Sequence, residues 1–200
     1  LPEGASDASP APLLLWIHGG PLNSWNAWSW RWSPALAVAR GYAVLVPNYR
    51  GSTGYGRDYM LKLRESWGIY DVQDAKFGAD ALADRGMADP SRLVIMGGSA
   101  GGYTVLQSLV EVPGFYKAGI CMFGPLPEAA AVYRERSPIF HGGKIIDPIA
   151  VFQGEIARVV PREQSDSIVS SLKARGVPHE YHLYPGEGHG WRKQETIDAI

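Results

Sequence analysis

The sequence has a single cysteine and no long hydrophobic run. Cys121 is alone among 200 residues, which excludes an internal disulfide and a zinc site built from several cysteines. No apolar stretch approaches the roughly 18 residues that a membrane-spanning helix needs, and residues 1–12 lack the basic and apolar regions of a signal peptide. We therefore expect no membrane partner and a cytoplasmic location. The chain begins with Leu rather than Met and is interpreted as an excerpt of something longer.

An excess of charge of either sign is also missing. The net charge is −1, and basic and acidic residues are interspersed, so the sequence favours neither nucleic acid nor an anionic membrane as a partner. A hydrophobic fraction of 46% over this length is sufficient for one sizeable core. We predict that residues 1–12, rich in Pro, Ala, Ser and Gly, form a linker and that residues 13–200 form one domain.

Short apolar runs alternate with segments of helical periodicity along the chain. Strands are predicted at residues 13–17, 42–46, 93–96, 118–123, 149–152 and 180–184, and helices at 34–40, 70–84, 100–110, 128–136, 162–175 and from 193. Such alternation predicts an α/β protein with a mostly parallel sheet of about six strands and helices on both faces. Functional residues are then expected at the carboxyl ends of the strands.

The pentapeptide Gly97 to Gly101 (GGSAG) matches the G-x-S-x-G pattern between a predicted strand and a predicted helix. Ser99 would lie on a sharp turn, and the outer glycines give room that side chains would fill. The helix that begins near Ala100 would direct its N–H groups toward the place where an oxyanion forms. The pattern predicts a nucleophilic serine, the alternative being a glycine-rich loop with an idle serine.

A histidine and a second glycine loop complete the candidate site. His189 follows the last predicted strand in a glycine-flanked loop, so it is the expected general base for Ser99. The oxyanion needs two donors, which we predict to be the N–H of Ala100 and an N–H from the loop at residues 18–20 (HGG). The sequence contains neither a phosphate loop nor a dinucleotide fingerprint, and we expect no cofactor and no metal.

Four ordered motifs resemble the catalytic domain of the prolyl oligopeptidase family of serine peptidases, especially its acylaminoacyl-peptidase and dipeptidyl-peptidase branch. They are HGGP at 18–21, NYRGSTGYG at 48–56, GGSAGGY at 97–103 and GEGHG at 186–190. The resemblance implies an α/β-hydrolase fold that cleaves short peptides or acyl esters.

The same resemblance assigns roles to individual residues. Ser99 would be the nucleophile and His189 the base, with an oxyanion hole formed by the backbone N–H groups of Gly20 and Ala100. Three further residues of the motifs are expected to bind substrate: Tyr49, Arg50 and Tyr103.

The chain departs from the family at the third member of the triad. The family pattern is Q-G-x-x-D-x-V-V-P, whereas residues 153–161 are QGEIARVVP, so Ala157 occupies the aspartate position. Alanine cannot orient the histidine or stabilise its cation, and loss of this acid in other triads lowers kcat by roughly 10⁴-fold. Glu155, in the same loop, is considered as a substitute acid. Other candidates are Asp147, Asp166 and Glu187.

The chain also resembles a trimmed member of the family. The link after residue 123 is short, no β-propeller precedes residue 13, and the strand at 42–46 would be an edge available to a second copy of the chain. Three functions remain open. The first is a peptidase core with impaired catalysis, and the second is a catalytically dead binding or scaffold protein. The third is a carboxylesterase, because activated esters demand less protonation of the leaving group.

Overall fold

The chain forms one sheet of six parallel strands, as seen in a computed structural model. The structure describes residues 1–6, 8–27, 32–124 and 137–199. The strand order is β2-β1-β3-β4-β5-β6, which confirms the predicted parallel sheet of about six strands. The strands are β1 (Ala11–Ile17), β2 (Ala43–Leu45), β3 (Ala88–Gly98), β4 (Ala118–Met122), β5 (Ile149–Gly154) and β6 (His179–Tyr184).

Helices follow most of the strands, as the alternating pattern predicts. They are α1 (Pro34–Ala39), α2 (Arg57–Leu61), α3 (Tyr70–Ala83), α4 (Ala100–Glu111), α5 (Pro138–His141), α6 (Arg162–Ala174) and α7 (Gln194–Asp198), with a 3₁₀ turn at Gly142–Lys144. The sequence did not predict the short helices α2 and α5. The helix predicted at residues 128–136 lies outside the described residues.

The main core lies between the sheet and the helices α3 and α4. Alternate residues of β1, namely Leu13, Leu15 and Ile17, are at most 1% exposed on this side. α4 packs so closely on β4 that a side chain at Gly119 would meet Leu109 at 2.8 Å. Burial raises the pKa of the Cys121 thiol to about 12, which leaves it a packed, protonated side chain.

The opposite face carries a second apolar cluster. Trp191 is fully buried there against Met122 and Phe123, and Trp32 packs on the same cluster. Trp32 shortly precedes α1 and Trp191 shortly precedes α7, so the segments that lead into these two helices cover part of this face.

Two element boundaries differ from the predictions. β1 begins at Ala11, so the predicted linker ends two residues earlier. β3 begins at Ala88 rather than at residue 93, because Ala11 pairs with Ala88 before the register shifts at Leu13. Residues 89–91 (DPS) lie inside this strand, where the Asp89 carboxylate accepts hydrogen bonds from the N–H and hydroxyl of Ser91 at 2.8 and 2.6 Å.

β2 lies at one edge of the sheet, paired on one side with β1. With three residues it is short, and short edge strands offer little backbone to another chain. Association of two copies through this edge stays a prediction. Among the described residues, no helix is long and apolar enough to cross a lipid bilayer.

Candidate active site

Ser99 lies on the sharp turn between β3 and α4, with φ 56° and ψ −125°. A side chain on the preceding Gly97 would lie 2.5 Å from the carbonyl oxygen of Gly101. A side chain on Gly101 would collide with the carbonyl oxygens of Ile17 and His18 at the end of β1. Only glycines allow β1, β3 and α4 to meet here, and positive φ at a serine is a strain that such packing enforces.

His189 reaches Ser99 from the loop after β6. Its Nε2 lies 3.0 Å from the Ser99 Oγ, within hydrogen-bond distance. Phe123 packs edge-on against the imidazole at 4.8 Å between ring centroids. Desolvation lowers the pKa of His189 below its ordinary value of 6.5, so the ring is neutral and able to accept a proton at pH 7.

The HGG loop after β1 approaches the same serine. A side chain on Gly19 would lie 3.2 Å from the Cβ of Ser99 and 3.8 Å from the backbone nitrogen of Ala100. The two peptide segments predicted to supply oxyanion donors are therefore adjacent. The donor role of the Gly20 N–H itself stays a prediction.

The loop that follows β2 holds the HGG loop in place. The His18 ring stacks on Tyr49 with 4.4 Å between centroids and 16° between planes. His18 Nδ1 donates to the carbonyl of Gly19 at 2.9 Å, so its Nε2 accepts from the Ser52 hydroxyl, also at 2.9 Å. Tyr49 lies within 3.3 Å of two further carbonyl oxygens of the loop, those of His18 and Pro21. Burial lowers the pKa of His18, which favours this neutral, tethered form.

Comparison with known protein families identifies the family to which the chain belongs. The chain matches the sequence profile of the prolyl oligopeptidase family over residues 28–126 and 121–199. It belongs to the prolyl oligopeptidase family. The resemblance to this family is thereby confirmed.

Relatives of the family align with nearly the whole chain. Dipeptidyl aminopeptidase BIII of Pseudoxanthomonas mexicana is 30% identical over 234 residues, which cover 99% of this chain and 33% of the relative. The acylamino-acid-releasing enzyme of Sus scrofa is 30% identical over 225 residues, covering 98% of this chain and 31% of the relative. This chain thus spans about a third of the length of these relatives. Both aligned regions are longer than its 200 residues, so the relatives carry insertions with respect to it.

A solved structure shows the same fold. The puromycin-hydrolyzing peptidase of Mycobacterium tuberculosis superposes with a TM-score of 0.88 at 36% identity, covering 98% of this chain and 33% of that chain. The α/β-hydrolase fold in trimmed form is therefore confirmed.

Ala157, which the sequence predicts to stand at the position of the family's acid, lies in a turn beside the His189 loop. The turn from Gly154 to Ala157 closes with an N–H to carbonyl bond of 3.3 Å, and the Ile156 N–H donates to the carbonyl of Glu187 at 3.0 Å. Ala157 is 7% exposed. The Nδ1 of His189 is buried and has no hydrogen-bond partner among the described residues. Among the described residues, the His189 ring is therefore hydrogen-bonded through Nε2 alone.

None of the candidate acids named from the sequence bonds to His189 Nδ1 in the described part of the chain. Glu155 Oε2 accepts from the N–H of Gly186 at 3.1 Å, so the prediction of a substitute acid is wrong for this structure. The remaining two candidates outside the His189 loop are bound elsewhere, Asp147 to the Gly114 N–H at 2.9 Å and Asp166 to the Tyr181 hydroxyl at 2.7 Å.

Glu187 has a structural role that the sequence did not reveal. Its carboxylate is buried and accepts from the N–H groups of Arg192 and Lys193 at 3.0 and 2.8 Å. Desolvation alone would raise the pKa of Glu187, but these bonds and one from the Thr196 hydroxyl lower it overall. Glu187 therefore anchors both ends of the loop that presents His189.

Two of the three predicted substrate-binding residues are buried, and the third is held in an ion pair. Tyr49 is 1% exposed and Tyr103 is fully buried, so the assignment of direct substrate contact to them is wrong. Arg50 is paired with Asp74 at 2.7 Å and lies 3.9 Å over the ring of Tyr70. A motif places residues near each other in sequence, but the direction of each side chain is set by packing.

A cavity of about 370 Å³ opens beside Ser99. Its wall includes three indoles and Phe123, and none of the described residues that line it is charged. Trp25 Nε1 donates to the carbonyl of Trp16 at 3.1 Å, and Trp16 contacts Trp32 edge-on at 6.2 Å between centroids. Trp25 and Trp32 therefore border a space next to the candidate nucleophile.

Proposed function

We propose that this chain is a serine-hydrolase core that cleaves peptide or ester bonds through an acyl-enzyme on Ser99. The observation that carries the proposal is the 3.0 Å contact between Ser99 Oγ and His189 Nε2 on a strained strand-to-helix turn. The peptidase names of the relatives support the same reaction class. The Gly20 and Ala100 N–H groups are proposed to stabilise the oxyanion.

In this mechanism Ser99 Oγ attacks the carbonyl carbon of the substrate while its proton passes to His189 Nε2. The oxyanion forms beside the N–H groups at the start of α4 and in the HGG loop. His189 then gives the proton to the leaving amine or alcohol, which leaves an ester on Ser99. A water molecule, deprotonated by the same Nε2, hydrolyses that ester and restores the serine.

The lack of a hydrogen-bond partner for His189 Nδ1 among the described residues is expected to reduce the rate of this catalytic cycle. To accept the serine proton at Nε2, His189 must carry its own hydrogen on Nδ1, for which the described residues provide no acceptor. A buried unpaired N–H costs about 1–3 kcal/mol, and the imidazolium formed in the reaction lacks a counter-charge. We therefore propose a hydrolase whose rate is reduced by the alanine at position 157.

The same alanine favours the second candidate, a hydrolase fold that binds a ligand or partner without turnover. A third candidate is a carboxylesterase, since an activated alcohol leaves with little help from an acid. Matched acyl ester and amide substrates separate the peptidase from the esterase, because an esterase would hydrolyse only the ester at a measurable rate.

A fluorophosphonate probe tests whether Ser99 is reactive. We expect slow labelling of the chain and none of Ser99→Ala, since the probe bonds only to an activated serine oxygen. Ser170→Ala, an exposed serine on α6, is the matched control and is expected to be labelled like the unchanged chain. Gel fluorescence against time gives the rate. Labelling that persists in folded Ser99→Ala would refute the assignment of the nucleophile.

The uncharged aromatic cavity predicts the acyl group that is preferred. We propose that it binds a large apolar or aromatic side chain next to the cleaved bond, since a charged side chain buried there would find no ion-pair partner among the described lining residues. Phenylalanyl esters are expected to have a kcat/KM about 10- to 100-fold above glutamyl or lysyl esters.

Trp25→Ala is expected to remove most of that preference by enlarging the cavity. Phe77→Ala, which alters an exposed ring on α3, is the matched control and is expected to keep it. Equal kcat/KM for charged and aromatic esters in the unchanged chain would contradict the proposal.

A further inference from the structure

Another cavity, of about 390 Å³, lies between α3 and α4. It shares no lining residue with the cavity beside Ser99, so it is separate from the candidate active site. A cavity of this volume has room for a small organic molecule. Much of its wall is apolar and consists of Ile69, Val72, Phe77 and Val112.

Gln107 contributes a buried amide to the same wall. The residue is only 1% exposed. Its Nε2 donates to the Glu111 Oε1 at 3.0 Å, whereas its Oε1 has no hydrogen-bond partner in the part of the chain that the structure describes. Buried acceptors in folded proteins normally have a partner, because leaving one unpaired is costly. An N–H donor on a ligand would supply the partner that Gln107 lacks.

The charges that line the cavity are not balanced. Glu111 forms no ion pair within the described residues, and its hydrogen bond there comes from the neutral Gln107. Lys76, the basic residue of the wall, is engaged elsewhere, with its Nζ 2.6 Å from the Asp80 carboxylate and 4.6 Å from the centre of the Phe115 ring. The cavity therefore presents an uncompensated carboxylate beside an apolar wall.

We propose that this cavity binds a small primary amine with an apolar body. The ammonium group donates to the Glu111 carboxylate and to Gln107 Oε1, and the apolar body lies against Ile69, Val72 and Phe77. A primary ammonium has three N–H donors, which is enough for both acceptors. An anionic ligand would be repelled by Glu111 and would leave the Gln107 oxygen unpaired. The site is independent of the proposed Ser99 reaction.

The test is a titration of the isotope-labelled chain with phenethylamine, followed by amide NMR. We expect saturable shifts of the backbone amides of Ile69, Gln107 and Val112, with a Kd of about 1 mM. Phenethyl alcohol has the same shape without the charge and is expected to bind at least about tenfold more weakly, because charge-assisted hydrogen bonds are the stronger ones. Absence of shifts at these amides up to about 20 mM amine would overturn the proposal.

Glu111→Gln tests the charge at nearly constant size. We expect it to weaken phenethylamine binding by roughly five- to tenfold and to leave the binding of phenethyl alcohol unchanged. Glu3→Gln, which neutralises an exposed carboxylate near the start of the chain, is the matched control and is expected to bind the amine like the unchanged chain.

Two further results would contradict the amine site. The first is an equal Kd for the amine and the alcohol, and the second is an unchanged amine Kd in folded Glu111→Gln. The shifts of the α3 and α4 amides do not depend on the reactivity of Ser99. A chain that fails to react with the fluorophosphonate probe would therefore refute the proposed function and leave this measurement unaffected.

Discussion

Replacing Ala157 with aspartate is expected to increase the rate of Ser99 labelling and of ester hydrolysis by roughly 10³- to 10⁴-fold. The aspartate would extend from the buried turn toward the unpartnered Nδ1 of His189 and accept its hydrogen. The aspartate would then stabilise both the His189 tautomer that carries its hydrogen on Nδ1 and the imidazolium that forms during the reaction. Time courses of labelling and kcat/KM for an activated ester measure the effect, with Ala157→Asn as a control of equal size that lacks the charge.

The same substitution, Ala157→Asp, is expected to change how the rate of the Ser99 reaction depends on pH. In the unchanged chain, desolvation lowers the pKa of His189, so the basic form is present below pH 6.5 and the rate falls only at more acidic pH. A neighbouring carboxylate favours the protonated ring and raises that pKa. The acidic limb of the pH–rate profile is therefore expected at higher pH in Ala157→Asp. A folded variant with neither a faster rate nor a shifted limb would contradict the assignment of position 157.

Substituting His189 with alanine is expected to have very different effects in the two backgrounds. In other serine triads the acid and the histidine act as a unit, so the loss of one removes most of what the other supplies. We expect His189→Ala to lower kcat by roughly 10²-fold in the unchanged chain and by roughly 10⁶-fold beside an aspartate at position 157. The four proteins form a double-mutant cycle measured with one activated ester.

Two results would refute this coupling. Equal losses in both backgrounds would show that position 157 does not act through His189. No loss in either would show that Ser99 has another base or is not the nucleophile. Thermal unfolding of all four proteins checks that each is folded before the rates are compared.

The parts of the fold that depend on local patterns could be predicted from the sequence. Short apolar runs predict the six strands, and the glycines around Ser99 predict the turn. Both features depend only on residues that are neighbours in the chain. The irregular start of β3 could not be predicted, since it depends on how Ala88 pairs with Ala11 of a distant strand. The helix Pro138–His141 is too short to show a hydrophobic period.

Within the site, the identities of the reactive residues could be predicted from the sequence, but the directions of several side chains could not. The positions of Ser99 and His189 at strand ends follow from the order of elements. Tyr49 and Tyr103 were assigned to the substrate because they lie in the motifs, yet both point into the core. The outward direction of Glu155 depends on a hydrogen bond to Gly186 from another strand's loop, which the order of residues does not show.

The stacking of His18 on Tyr49 and its bond to Ser52 join the loops after β1 and β2 into one unit. A designer who wishes to move the HGG loop into another scaffold would therefore have to transplant both segments together. In natural sequences the same dependence predicts covariation. A chain that replaces the histidine would be expected to change the serine or the tyrosine with it, since either partner left alone would bury an unsatisfied group.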